Sequence, residues 1–222
     1  MGARAGAPVT IAPRPYVVVP GTWAYADLDN PRAWWQRGSA WSAFLAAAGG
    51  LYAMRPLDPF LWSTDLEGFP WPWRRRALDR NDWDAGGRSL RYYLEAVAPA
   101  DRTVITHSHG AQVAAYAAAG GLSIARLITV AAPVRGDVDP VWRAARPNIG
   151  DWLNIYLEGD AIQIGGAFGD RVIRWARAMK YPGVVNHGVP GVRGHSALFE
   201  DPACFELWRS QGWIDFARGA GR

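Results

Sequence analysis

One stretch constrains this 222-residue chain more than any other: Arg102 to Tyr116, which reads Arg-Thr-Val-Ile-Thr-His-Ser-His-Gly-Ala-Gln-Val-Ala-Ala-Tyr. A short β-branched run breaks at a serine set among turn-tolerant residues and passes at once into an Ala-rich helical pattern. The expectation is a strand, a tight turn with Ser108 at its apex, and a helix. A turn that sharp holds the apical residue in a strained conformation and lifts its hydroxyl clear of a sheet, while the first amides of the helix face the same spot. Such a turn supplies a nucleophile and one amide, that of His109, for the negative charge its attack would create.

The rest of the chain alternates in the same manner. Tyr16–Val19 reads as a buried strand stopped by Pro20-Gly21, and Trp34–Ala48 as a helix ended by Gly49-Gly50. Leu51–Met54 is a weaker strand. From Arg55 to Asp84 the pattern dissolves into prolines, glycines and aromatic residues (Trp62, Phe69, Trp71, Trp73, Trp83), a lid or pocket wall on one reading and a packed surface excursion on the other. Then come a helix over Gly87–Val97, a strand over Thr103–Thr106, a helix over His109–Gly120 and a strand over Ile124–Val130. A helix over Val138–Arg146, a strand over Trp152–Leu157, a last strand over Gly183–Asn186 and a terminal helix over Pro202–Arg218 complete the reading. Continuous Val and Ile runs, rather than strict alternation, mark strands covered on both faces. The fold class is therefore α/β: a mainly parallel central sheet with helices on both faces, in one domain spanning 16–218.

Composition narrows the function. Half of the residues are hydrophobic and 20% are charged, enough apolar surface for one core and too little to split between two. Residues 1–15 carry Arg4, several small residues and three prolines, but no apolar core of signal-peptide length, and read as a flexible leader. No run approaches the ~18 uninterrupted apolar residues of a membrane span, so a cytoplasmic protein with no integral membrane segment is expected. The net charge of +4 is spread along the chain, and the local run Arg74-Arg75-Arg76 reads as a solvated loop face, so no nucleic-acid partner is expected. The lone Cys204 can form no internal disulfide and offers no metal-ligand pair, which agrees with a reducing compartment.

A serine hydroxyl needs a base, and the base needs an acid to hold its tautomer. There are four histidines. His107 and His109 flank the serine and leave the turn in directions set by their neighbours, which leaves His187 and His195. His195, in the glycine-opened segment Gly194-His195-Ser196 before the C-terminal helix, is the preferred base. His187 reads as a wall residue with a substrate contact as its functional alternative. Asp160, reached across a glycine turn from the strand Trp152–Leu157, is the preferred acid, with Asp137 and Glu158 as runners-up and Asp170 as a helix cap. The second oxyanion amide falls in Pro20-Gly21-Thr22-Trp23, at Thr22 or, less favoured, Trp23, because Gly21 lets the backbone approach closely.

Taken in order, the Pro-Gly-Thr-Trp loop, the turn Thr106-His107-Ser108-His109-Gly110, the segment Ile128–Asp137 with its proline loop, Asp160 and His195 resemble the α/β-hydrolase fold superfamily, most nearly its lipases and esterases. Two positions depart from the family pattern. Thr106 replaces the first glycine of Gly-x-Ser-x-Gly, and Pro20 stands where a histidine is common. The resemblance implies acyl transfer to water. Ser108 attacks, His195 shuttles the proton, Asp160 orients the imidazole, and the amides of Thr22 and His109 hold the oxyanion. No metal and no organic cofactor are implied. The partner would be a small acyl ester or a lipid, and with 13 tryptophans in the chain, Trp23 and the Trp62–Trp83 region are candidate walls of an aromatic acyl pocket, beside His187. Two rivals differ in class: a catalytically silent binding or structural protein on the same fold, and a metal site on His107 and His109 with His187 or His195 as third ligand.

Overall fold

The computed structural model describes residues 16–21, 33–35, 38–48, 80–165 and 178–214. The expected leader, the Leu51–Met54 strand, Thr22, Trp23, Asp170 and most of the Trp-rich region fall outside them. Among the described residues, five strands form one all-parallel sheet in the order β1 (Tyr16–Val19), β2 (Thr103–His107), β3 (Ile124–Val130), β4 (Ile149–Leu157), β5 (Val184–Val189). Strands therefore add in one direction along the sheet. Because parallel crossovers share one hand, the helices linking β2, β3 and β4, namely α3 (Gly110–Ala119) and α4 (Asp139–Ala145), lie on the same face.

That face packs Val17, Val19, Val104, Leu127 and Trp152 against α3, α4 and α2 (Arg80–Leu94), with Trp83, Leu90 and Leu94 fully buried. The opposite face packs Val18, Ile105, Ile128, Val130 and Ile155 against α1 (Ala40–Ala48), α6 (Ala197–Glu200) and α7 (Pro202–Ser210). A short α5 (Ala161–Gly165) follows β4. Alternate residues of each strand thus enter two separate cores, which is why the strands read as unbroken apolar runs.

Several boundaries differ from the sequence reading, each for a local reason. The helix expected from Gly87 begins at Arg80, so the irregular stretch is shorter than expected at its C-terminal end. Gly87 signalled a helix start, yet it sits mid-helix because a Cβ there would stand 2.6 Å from the Tyr116 Cβ and 2.8 Å from the Ala117 nitrogen of α3. The helix expected from Trp34 begins at Ala40, where the Ser39 hydroxyl accepts the Ser42 amide at 3.1 Å and the turn at Gly38 has φ +83°. The terminal helix stops at Ser210 rather than running through Arg218. Gly212 adopts φ +63°, the Trp213 amide bonds the Trp208 carbonyl and the Gly212 amide bonds the Arg209 carbonyl, a Schellman ending that turns Trp213 back onto Trp208. β4 and β5 each extend further than expected because their neighbours continue the ladder.

A polar row crosses the sheet beneath α3 and α4. Thr129, Asn154 and Asn186 are in register on adjacent strands. Thr129 donates to Asn154 Oδ1 at 2.9 Å, Asn154 Nδ2 donates to Asn186 Oδ1 at 2.9 Å, and Asn186 exchanges two bonds with the Met179 backbone. Asn154 is fully buried, so Asn154→Ala removes one bond from each neighbour and opens a gap in the row, and is expected to cost about 1–3 kcal/mol in urea unfolding. A loss below about 0.5 kcal/mol would show that the row does not pin the strands.

Candidate active site

The turn after β2 forms as the sequence predicted. Ser108 sits between β2 and α3 at φ +52°, a left-handed conformation rare for a residue with a side chain. The strain is held by the sheet: the Ser108 amide donates to the Val130 carbonyl at 2.9 Å, and its carbonyl accepts the Ala111 amide at 3.2 Å. Ala131, at the end of β3, has φ +50° and is pinned in the same way to the Ile155 carbonyl. Gly110 is required here, since a Cβ would lie 2.3 Å from the Val19 carbonyl oxygen and 2.6 Å from that of Pro20. Thr106, the residue in the family's first glycine position, is fully buried on the α3 face and is accommodated.

The loop leaving β1 touches the serine directly. A Cβ on Gly21 would stand 2.7 Å from the Ser108 Cβ, 3.2 Å from the His107 carbonyl oxygen and 3.3 Å from Ser108 Oγ. Gly21→Ala must therefore move the serine or the loop, an overpacking expected to cost about 1–3 kcal/mol in urea unfolding. A loss below about 0.5 kcal/mol would show that the loop is not held against the serine. His109 occupies the position before the first turn of α3, its ring stacked on Trp83 at 5.5 Å.

Asp160 and His195 meet. His195 Nδ1 and Asp160 Oδ2 are 2.6 Å apart, and the other carboxylate oxygen of Asp160 accepts the Gln163 amide at 3.0 Å. A carboxylate only accepts, so the His195 proton lies on Nδ1 and Nε2 of the neutral ring carries a lone pair. Nε2 is buried and has no hydrogen-bond partner among the described residues, the Ser108 hydroxyl included. Burial alone pushes the Asp160 carboxyl up. The hydrogen bond and charge of His195, with the Gln163 and Ile162 amides, outweigh it and leave the group below its ordinary value. Gln163 also donates from Nε2 to the Ala132 carbonyl at 2.8 Å, fixing the turn that carries Asp160 to the end of β3.

The other candidates are engaged elsewhere. Asp137 holds the buried Arg135 guanidinium through two bonds, at 2.9 and 2.7 Å, and Arg135 in turn lies over Trp83. Glu158 is exposed. The ring of His187 packs edge-on to Trp213 at 5.0 Å. His107 and His109 part to opposite sides of the sheet, one among Trp34, Phe199 and His195, the other on Trp83. Among the described residues, no group of three or more His, Cys, Asp or Glu side chains is placed to hold a metal ion, and no helix is long and apolar enough to cross a membrane.

The sequence reading missed the contact of His107 with His195. Nε2 of His107 donates to the His195 carbonyl oxygen at 3.1 Å, and the ring centroids are 4.6 Å apart. This bond places the segment carrying His195 beside the serine turn. No residue spacing signals a meeting across 88 positions.

No family model matches the chain, and no curated protein does. Among solved structures, it is similar to a predicted CIB-like hydrolase from Thermoplasma acidophilum, at 17% identity and a TM-score of 0.47 over 89% of this chain and 84% of that one. It is also similar to the esterase PE8, at 16% identity and a TM-score of 0.48 over 92% of this chain and 94% of that one. From its own topology, a parallel sheet between two helical layers with Ser108 after β2, Asp160 after β4 and His195 after β5, the described chain has the α/β-hydrolase fold.

Proposed function

We propose that the protein is a serine hydrolase that cleaves acyl esters through an acyl-enzyme intermediate. Ser108 Oγ attacks the ester carbonyl while His195 Nε2 takes its proton. Asp160 accepts the Nδ1 proton's hydrogen bond throughout and stabilises the imidazolium as it forms. The imidazolium then protonates the leaving alcohol, a water deprotonated by the same nitrogen attacks the acyl-enzyme, and the imidazolium returns that proton to Ser108 Oγ as the acid departs. The amides of His109 and Thr22 receive the oxyanion, each worth about 2.7–4 kcal/mol of transition-state stabilisation. Trp23, His187 and the Trp62–Trp83 region are proposed as substrate contacts.

One observation carries the reading: a half-buried imidazole whose Nδ1 is committed to a buried carboxylate and whose buried Nε2 has no partner among the described residues, on a loop bonded to the residue before a serine in left-handed conformation. A fluorophosphonate probe tests it. The parent protein is expected to be labelled at Ser108, and Ser108→Ala to lose the label. An unlabelled parent would favour a catalytically silent binding protein on the same fold.

A further inference from the structure

The geometry points to His107 as a positioning residue that ties the loop carrying His195 to the serine turn through the bond from its Nε2–H to the His195 carbonyl oxygen. The inference rests on the proposal that Ser108 and His195 act together.

Residues 190–196 connect β5 to α6 with no regular structure, and Gly191 and Gly194 adopt φ +74° and +104°. Left to its own turn bond, from the Ala197 amide to the Gly194 carbonyl, such a segment has several conformations of similar energy. Asp160 grips only the imidazole end of His195. A side chain fixed at its tip alone still lets the backbone swing, and with it the direction in which Nε2 faces. His107 supplies the second attachment, at the backbone, from a different strand. The two holds come from the ends of β4 and β2, so His195 is fixed to the same sheet edge that carries the serine.

His107 is itself caged. Its ring lies edge-on to Trp34 at 5.5 Å and to Phe199 of α6 at 5.5 Å, and Trp34 stacks on Phe199 at 4.1 Å. A carbonyl oxygen can only accept, so the Nε2 proton is fixed. Burial, and then the charge of His195, hold the ring's pKa down at about 3, below the ordinary 6.5, against the opposing pulls of the bond to the His195 carbonyl and of Asp160. His107 is thus a neutral donor, and it places no positive charge beside an imidazole that must itself become cationic during turnover. An arginine or lysine could make the same bond but would oppose that step.

The test compares His107→Phe, which keeps a ring without the donor, with His107→Gln, which returns an N–H at similar reach, on a short activated acyl ester. His107→Phe is expected to lower kcat about 10- to 100-fold with KM within about twofold of the parent, and His107→Gln to recover most of the loss. Should thermal unfolding show that His107→Phe does not fold, His107→Leu takes its place as the variant without a donor. Parent-like kcat in the variant without a donor overturns the inference while the Ser108 labelling still stands. Equal impairment of His107→Gln and His107→Phe also overturns it, since ring packing would then be what matters. A parent unlabelled at Ser108 removes the functional reading and this inference together.

Discussion

Replacing His195 with alanine is expected to reduce kcat on a short activated acyl ester by about 10⁶-fold, leaving a residual rate from substrate binding and the backbone amides. On the proposed mechanism, losing the imidazole leaves the Ser108 hydroxyl no base to take its proton and the leaving alcohol no acid to protonate it. Asp160→Asn should cost less, about 10⁴-fold. An amide in place of the carboxylate can donate to Nδ1, which favours the tautomer whose Nε2 already carries a proton and cannot accept the serine's. The gradation matters more than either number, because a merely structural pair would show parallel losses of stability and activity. His187→Ala is the control. As a proposed substrate contact packed on Trp213 it should raise KM and leave kcat near the parent's, and a crippled kcat in His187→Ala beside an active His195→Ala would reassign the base.

Acid is expected to destabilise the fold from near neutrality downward, in a window set chiefly by His107. Its folded pKa of about 3 lies below the 6.5 of the unfolded chain because of burial first and the charge of His195 second, with the bond to the His195 carbonyl and Asp160 opposing and His109 adding to the effect. Between those two values the unfolded chain binds a proton that the native state refuses, so unfolding gains about 1.4 kcal/mol for each pH unit of acidification. Stability from this residue is fully present above pH 6.5 and is lost as the pH falls towards 3. Asp160 acts in the same direction lower down: its depressed carboxyl adds stability above its unfolded value and loses it as pH falls through the folded one. Urea unfolding of the parent from pH 7 to 4 should show the slope, and His107→Phe should flatten it. A parent whose stability is level across that range would mean that the ring is not buried neutral.

The serine turn and the alternation of strands and helices were legible because they are local. A β-branched run, a small-residue break and an alanine-rich helix need no partner to declare themselves, and the order Ser108, Asp160, His195 is written along the chain. Helix boundaries were less legible where a glycine served a contact instead of a break. Gly87 looks like a helix start and is a point of helix-to-helix approach. Gly212 had no special pattern around it, yet it ends α7.

The choice among acids also needed the fold. Asp137 and Asp160 both follow strands, and both stand next to turn residues. Only three-dimensional packing gives the first to Arg135 and the second to His195. The residues alone determined which chemical groups this protein possesses and the order in which its strands deliver them, since periodicity and turn chemistry act over a few positions. Tertiary structure decided which carboxylate meets the His195 imidazole, and that His107 faces the segment carrying His195 instead of open solvent. Those outcomes depend on contacts between residues as many as 88 positions apart, whose energies arise only when the strands are laid side by side.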